Sequence, residues 1–293
     1  RALAAPLNVN GDHSDMYLGR DSGWVNLCAY NPQEVYDLTL CAFKIGEDLR
    51  VRLPVIVNQD GFMCSHTAQN VVPLSDEVAS NFVGPYKQVN ALLDFSKPVT
   101  HGVQTEENWH FEHKAKQHQA LMDSQEVIKE VFAEYEKLTG RKYNLVETYK
   151  LEDAEVAVVC LGTTVETAQI AVDRMREQGI KAGVLALRAL RPFPLIEVAA
   201  ALQNVKAIAC MDRSAPGGTV GTLYNEISGA LFNTPARPVI SNLIYGLGGR
   251  DMTINTLCEI FAELDKDAKA GKLTGPIQKF IGVRGPALEF YNL

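Results

Sequence analysis

Asp12, His13, Ser14, Asp15 and Arg20 crowd one short loop near the start of this chain, behind Gly11 and ahead of Gly23 and Trp24. Carboxylates, an imidazole and a guanidinium held together can move a proton or hold an anion. In an open parallel sheet, chemistry sits just beyond the carboxyl ends of the strands. The apolar run Leu3 to Val9 reads as a strand feeding this loop. The same residues also suit a solvated turn with a capping Asp or Ser, and spacing alone does not separate the two readings. A second loop, Asp60 to His66, follows the β-branched run Leu53 to Val57. Between the two loops lies a helix start, Asn31-Pro32-Gln33-Glu34, with a cap, a proline at the first turn and a capping-box glutamate. Val35, Leu38, Ala42, Ile45 and Leu49 then recur on one helical face and predict a helix ending near Asp48 to Arg50. Strand, helix, strand is the crossover unit of a parallel sheet, so both loops are expected on one edge.

Composition excludes several other chemistries. Of 293 residues, 46% are apolar and 22% charged, the balance of a globular protein long enough for two domains. The net charge of −7 argues against a broad nucleic-acid surface. No apolar run is long enough for a membrane span. Cysteines stand at 28, 41, 64, 160, 210 and 258 with no Cys-x-x-Cys, so no local zinc or iron–sulfur site is expected. Scattered apolar cysteines fit a reducing cytoplasm. His101, His110, His113 and His118 lack a repeated ligand set and read as exposed rather than metal-binding. There is no Gly-x-Ser-x-Gly elbow. The chain does not begin with Met, and an upstream segment is expected.

Residues 71–117, punctuated by Pro73, Pro85 and Pro98, read as a long irregular connection, followed by a helix from Ser124 to Leu138. From Asn144 the pattern is α/β. Strands are predicted at Val156 to Leu161, Ala182 to Leu187, Val205 to Met211 and Val239 to Ile244. Helices are predicted at Val165 to Gln178, Leu195 to Leu202, Thr222 to Phe232 and Met252 to Leu264. Two Gly-rich turns, Gly162-Thr163-Thr164 and Ser214 to Gly221, could cradle an anion at a helix start. Neither carries a phosphate-loop pattern, so tight turns are the simpler reading. Asp212 and Arg213 read as an ion pair beside the second turn. The fold class expected is α/β with two doubly wound domains: residues 1–93, a connection at 94–143, a second domain at 144–266 and an irregular tail at 267–293.

Taken as a string, the chain resembles the 2-oxoacid:ferredoxin oxidoreductases, typified by pyruvate:ferredoxin oxidoreductase and including oxalate oxidoreductase. RALAAPLNVNGDHSD with RDSGW, NPQEVYDLTLCAFKIGED, LPVIVNQDGF with Ser65-His66, and EYEKLTGRKY carry the resemblance in the first half. LGTTVET, ALRPFP, MDRSAPGG and YGLGGRD carry it in the second. It covers nearly the whole chain in one order and points to an alpha subunit.

The resemblance implies the later part of a thiamine-diphosphate pyrimidine-binding domain followed by a transketolase C-terminal-like domain. It implies thiamine diphosphate shared with a beta subunit that carries the diphosphate-binding domain. Mg2+ and [4Fe-4S] clusters would sit in partner subunits, ferredoxin would accept the electrons, and coenzyme A would be co-substrate for pyruvate. Arg1 matches the arginine that holds the substrate carboxylate, a task suited to a guanidinium fork. His13 joins it as a catalytic candidate, Asp12 and Asn10 as substrate-binding candidates, and Asp60 and His66 as residues near the cofactor. Asn10 stands where pyruvate enzymes usually carry an aromatic residue, which points toward oxalate as the competing substrate. A non-oxidative transketolase-like enzyme is the alternative from another class.

Overall fold

The computed structural model describes residues 2–3 and 5–292. The chain runs through α1 (Ser14–Gly19), β1 (Val25–Cys28), α2 (Pro32–Glu47), β2 (Val55–Asn58), α3 (Asp76–Val83) and α4 (Glu107–Thr139). The second half contributes β3 (Val146–Tyr149), β4 (Val156–Cys160), α5 (Thr164–Glu177), β5 (Ala182–Leu187), β6 (Ala189–Arg191), α6 (Leu195–Leu202) and β7 (Ala207–Asp212). It closes with α7 (Thr222–Phe232), β8 (Val239–Ile244), α8 (Ile254–Ala270), β9 (Gln278–Phe280) and β10 (Glu289–Phe290).

Around α2 the cap forms as expected, though the helix stops at Glu47 and Leu49, expected on its buried face, lies beyond it and is exposed. The Asn31 side chain accepts from the Glu34 N–H, and Glu34 reaches back to accept from the Tyr30 N–H. Leu38, Cys41 and Ile45 then face the first core. β1 and β2 pair in parallel, Val25 opposite Val55 and Cys28 opposite Asn58. Their third neighbour is β6, which comes from the second half and pairs antiparallel with β1. The two halves therefore share a sheet.

The larger sheet has seven strands in the order β10-β9-β8-β7-β4-β5-β3, with β3 and β10 antiparallel at its edges. Its fully buried runs, VAVVC and AIACMD, suit parallel strands covered on both faces. One face packs α5 and α8, through Val165, Ala168, Val172, Leu257 and Phe261. The other packs α6 and α7, through Val198, Leu202, Leu223 and Ile227, and also takes Met16 and Tyr17 of α1. After β4 the chain moves to β5 on one side, and later to β7 on the other. That reversal opens a crevice beyond the carboxyl ends of β4 and β7, where doubly wound folds place their sites.

Four expectations change. The opening run Leu3 to Val9 forms no strand among the described residues. Pro6 has no N–H to pair, Leu3 and Leu7 are exposed, and the segment is tied down by single hydrogen bonds such as Ala2 N–H to Asn10 O at 3.0 Å. The connection 71–117 contains α3 and the first turns of α4, a helix of 33 residues that starts at Glu107 rather than Ser124. Its first half has no buried face, so no apolar periodicity marks it, but it holds no Gly or Pro to stop a helix. His110, His113 and His118 lie on this exposed half, and no group of three or more metal-ligating side chains forms among the described residues. The tail is not irregular: α8 runs on to Ala270, and β9 and β10 extend the large sheet. Among the described residues no helix is long and apolar enough to cross a membrane.

Candidate functional site

Asp60 stands at the end of β2 and projects into the crevice of the larger sheet. Its Oδ2 accepts from the Thr163 N–H at 2.8 Å and the Thr163 hydroxyl at 2.6 Å. Arg213 Nη1 lies 3.1 Å from the same oxygen, and Oδ1 meets His13 Nε2 at 2.7 Å. Thr163 ends the turn after β4 and starts α5; Arg213 follows β7. The first region thus places its own carboxylate where a doubly wound fold binds anions, at a helix start in the switch crevice. Gly162 makes room for it. A Cβ there would stand 2.6 Å from Asp60 Oδ2, and φ is +68°.

The opening loop meets this carboxylate through His13. The His13 N–H donates to Arg213 O at 2.8 Å, so the residue is held at backbone and ring. Gly11 allows the approach, since a Cβ on it would lie 2.9 Å from the Gly61 backbone nitrogen. Asp12 Oδ1 accepts from the Ser14 N–H at 3.0 Å and starts α1. The Ser14 and Ser214 hydroxyls share a hydrogen bond of 3.3 Å across the two halves.

Burial pushes the Asp60 carboxyl up, but His13, Arg213 and the Thr163 hydroxyl outweigh it and hold Asp60 well below the usual carboxylate range. His13 is only 6% exposed, and its Nδ1 is buried with no hydrogen-bond partner. His13 also lines a small cavity of about 30 Å³, together with Asp12, Asp15, Asn58, Asp60 and Gly162. A larger cleft of about 510 Å³ lies between the opening segment and the second half, lined by Asn8, Asp12, Ser14, Arg20, Ser214 and Thr222. Asp12 borders both spaces.

A second carboxylate fills the other helix start. Asp212 Oδ1 accepts from the Leu223 N–H at 2.8 Å, and Oδ2 accepts from Asn242 Nδ2 at 2.8 Å. Burial pushes Asp212 up to about 6, against the pull of the Leu223 and Tyr224 N–H groups, Asn242 and His13. Tyr17 of α1 is buried with its hydroxyl unpartnered, and its pKa is pushed up by burial and by the nearby Asp212 charge. Both Gly-rich turns therefore hold anions, and the anions are side chains of this chain. Asp212 and Arg213 are not partners of each other: Arg213 turns to Asp60 and to Gly246 O, while Asp212 caps α7.

Of the residues singled out from sequence, His13, Asp60 and Asp12 come together. Asn10 lies beside them but packs on Gly249, where a Cβ would stand 2.6 Å from its own Cβ. His66 lies apart and exposed. It stacks on Phe62 at 4.3 Å between ring centres and pairs with the Ser65 hydroxyl. Arg1 lies outside the described residues. Arg213 and Thr163 escaped notice as site residues. The signal was their place at the ends of two buried strands, which read there only as turns.

Residues 1–133 match the family described as pyruvate flavodoxin/ferredoxin oxidoreductase, thiamine diphosphate-binding, and residues 154–257 match pyruvate:ferredoxin oxidoreductase core domain II. The pyruvate synthase subunit PorA of Thermotoga maritima is 40% identical over 284 residues, covering 97% of this chain and 71% of that one. The ketoisovalerate oxidoreductase subunit VorA of Pyrococcus abyssi is 36% identical over 279 residues, covering 95% and 70%. A solved 2-oxoglutarate:ferredoxin oxidoreductase from Magnetococcus marinus shares the fold at a TM-score of 0.58 and 15% identity. It aligns over 90% of this chain, which spans 47% of the length of that one. With both halves matched in order and relatives at this identity along nearly its whole length, the chain belongs to the 2-oxoacid:ferredoxin oxidoreductase family.

Proposed function

We propose that this chain is the alpha subunit of an enzyme that oxidatively decarboxylates pyruvate or a close small 2-oxo acid and passes the electrons to ferredoxin. The observation that carries this reading is 40% identity to a pyruvate synthase subunit over 97% of the chain. In this reading residues 1–93 form the later part of a pyrimidine-binding domain, 94–143 a connection, and 144–266 the body of a transketolase C-terminal-like domain. The diphosphate-binding domain, Mg2+ and the [4Fe-4S] clusters belong to partner subunits. Coenzyme A takes the acyl group when the acid is pyruvate. The compartment is cytoplasmic.

The residues present fit one wall of a thiamine diphosphate site. His13 offers a buried ring nitrogen without a partner, and Asp12 borders the adjoining cleft. When bound, the cofactor supplies the carbon nucleophile and electron sink that decarboxylation requires. In this reading His13, oriented by Asp60, accepts or returns a proton at Nδ1, and Asp12 and Arg1 hold the acid's polar end. Exposed apolar side chains support a partner-covered face: Leu93 is 79% and Phe95 87% exposed, and Trp109 and Phe111 follow. Asn10 packs on Gly249 and is not among the residues around the His13 cavity, which takes away the ground on which it pointed to oxalate.

The test is viologen reduction by the purified complex with pyruvate, a branched 2-oxo acid and oxalate, each with and without coenzyme A. Pyruvate turnover that requires coenzyme A is expected. Turnover of oxalate alone, independent of coenzyme A, would overturn the substrate reading. An iron-free complex turning over phosphosugars would return the transketolase-like alternative.

A further inference from the structure

We propose that Arg213 and Thr163 are positioning residues that, through Asp60, set the hydrogen-bonding state of His13. The proposal rests on the reading above only in giving His13 work to do; the relay itself is argued from geometry.

Both Asp60 oxygens accept, but unequally: three donors crowd Oδ2 and one meets Oδ1. Oδ2 takes the Thr163 N–H, the Thr163 hydroxyl and Arg213, which leaves Oδ1 for His13 Nε2 at 2.7 Å. An ionised carboxylate only accepts, so His13 carries its proton on Nε2. In the neutral ring, Nδ1 is then the acceptor, and it is the nitrogen buried without a partner, on a residue that lines the cavity. The opposite tautomer would put a lone pair against Asp60 and is excluded by the same arrangement. The groups facing His13 are Asp60, Asp12, Asp15 and Cys28 around the cavity and Tyr17, whose ring meets the imidazole edge-on at 6.1 Å. Arg213 and Asp212 lie behind them.

Arg213 contributes a second effect. A carboxylate facing one imidazole spends its whole field on that ring. Here the Arg213 charge, 3.1 Å from the other oxygen, opposes the carboxylate's field at the ring. Arg213 is itself fixed, donating from Nε to Gly246 O at 3.1 Å beyond β8 and accepting the His13 N–H at its own carbonyl. The second half of the chain therefore sets both where His13 stands and how strongly its proton is held, from three adjacent strand ends.

The experiment uses the assembled complex with Arg213→Met, Arg213→Lys, Thr163→Val or His13→Gln. Two quantities are read against pH: kcat/KM for acid-dependent viologen reduction, and hydrogen exchange at the His13 Cε1–H by mass spectrometry, which needs no turnover. Arg213→Met is expected to move the His13 exchange midpoint to higher pH by about one unit, with one limb of the rate profile following it. Arg213→Lys keeps the charge and is expected to restore the wild-type midpoint. A folded Arg213→Met complex with an unmoved midpoint and profile would overturn the relay. Should Arg213→Met fail to assemble, Thr163→Val decides, and an unmoved midpoint there overturns it equally. If the midpoint moves while His13→Gln keeps the full rate and both limbs, the relay stands and the placement of His13 in the reaction falls.

Discussion

Two buried arginines of the second half, Arg188 and Arg213, each grasp a carboxylate of the first, and their settings differ. Arg188 is 2% exposed, pairs with Glu34 at 2.8 Å and Glu147 at 2.5 Å, and donates to Asn144 O. The Tyr30 and Tyr143 rings lie 4.6 and 5.0 Å from its guanidinium carbon, on a closed, packed junction. Burial still pushes Glu34 up despite Arg188, whereas Arg188, against its own burial, is held above the usual arginine value by Tyr30, Glu34 and Glu147, so the desolvation left uncompensated falls on the carboxylate. Arg213 holds Asp60 with help from Thr163 and His13, and Asp60 is pulled well down. That network borders a cavity with a free ring nitrogen. A buried ion pair by itself joins the two halves; donors in excess and a titratable group with an unpartnered nitrogen beside a cavity make a candidate site.

The comparison breaks first at Arg188. Replacing it with Met leaves Glu34 buried without its partner and is expected to destabilise the subunit by about 3–5 kcal/mol. Thermal unfolding of the complex should show the loss, while kcat/KM per assembled complex stays at the wild-type value. A fall in kcat/KM would mean that the junction also serves the reaction.

His13→Gln is the converse. It should lower kcat/KM by about 10²-fold or more, as loss of a proton-transferring group does. Stability should fall by only about 1 kcal/mol, the scale of one hydrogen bond. Equal losses in both would make His13 one more structural residue.

Asp212 separates the networks by pH. Its folded value of about 6 lies above the ordinary carboxylate value. The folded state therefore binds more protons than the unfolded state between roughly pH 4 and 6. Its stabilising contribution is complete below that window and is lost as pH rises through about 6, an effect on the order of 2–3 kcal/mol. In Asp212→Asn one of the two accepting oxygens becomes an NH2, which meets either the Leu223 N–H or Asn242 Nδ2, donor against donor. The deficit of this variant against wild type should be greatest near pH 4 and shrink by pH 7, read from melting temperatures across that range. Asp60, with its lowered value, carries the opposite sign: its contribution is present above the ordinary carboxylate value and is lost only in strong acid.

The smallest effect is expected at Asn10. Because its side chain packs on Gly249, Asn10→Ala should change the ratio of kcat/KM for pyruvate to that for oxalate by less than about threefold, or ~0.6 kcal/mol. A larger change would put Asn10 at the substrate after all.

Much of the second half was legible along the chain. Apolar runs such as VAVVC and AIACMD, bounded by glycines and charges, become buried parallel strands because each run carries its own signal. The loops holding His13 and Asp60 were legible for a similar reason: polar side chains gather after apolar runs. The first half of α4 was not, since an exposed helix needs no apolar face. Nor were β3 and β10, the edge strands, and β9 beside β10, short strands that form because a neighbouring strand offers its free N–H and C=O groups.

Sequence by itself determined the residue types, the strands that end just before Asp60, Thr163 and Arg213, and the family to which the chain belongs. Only the tertiary structure decided their partners. Asp60 stands 103 residues from Thr163 along the chain, and nothing local favours Arg213 pairing with Asp60 over its neighbour Asp212. That choice follows from how the two halves dock. Asp212 is already satisfied by the start of α7 and Asn242, so the guanidinium beside it turns to the one carboxylate the first half carries into the crevice.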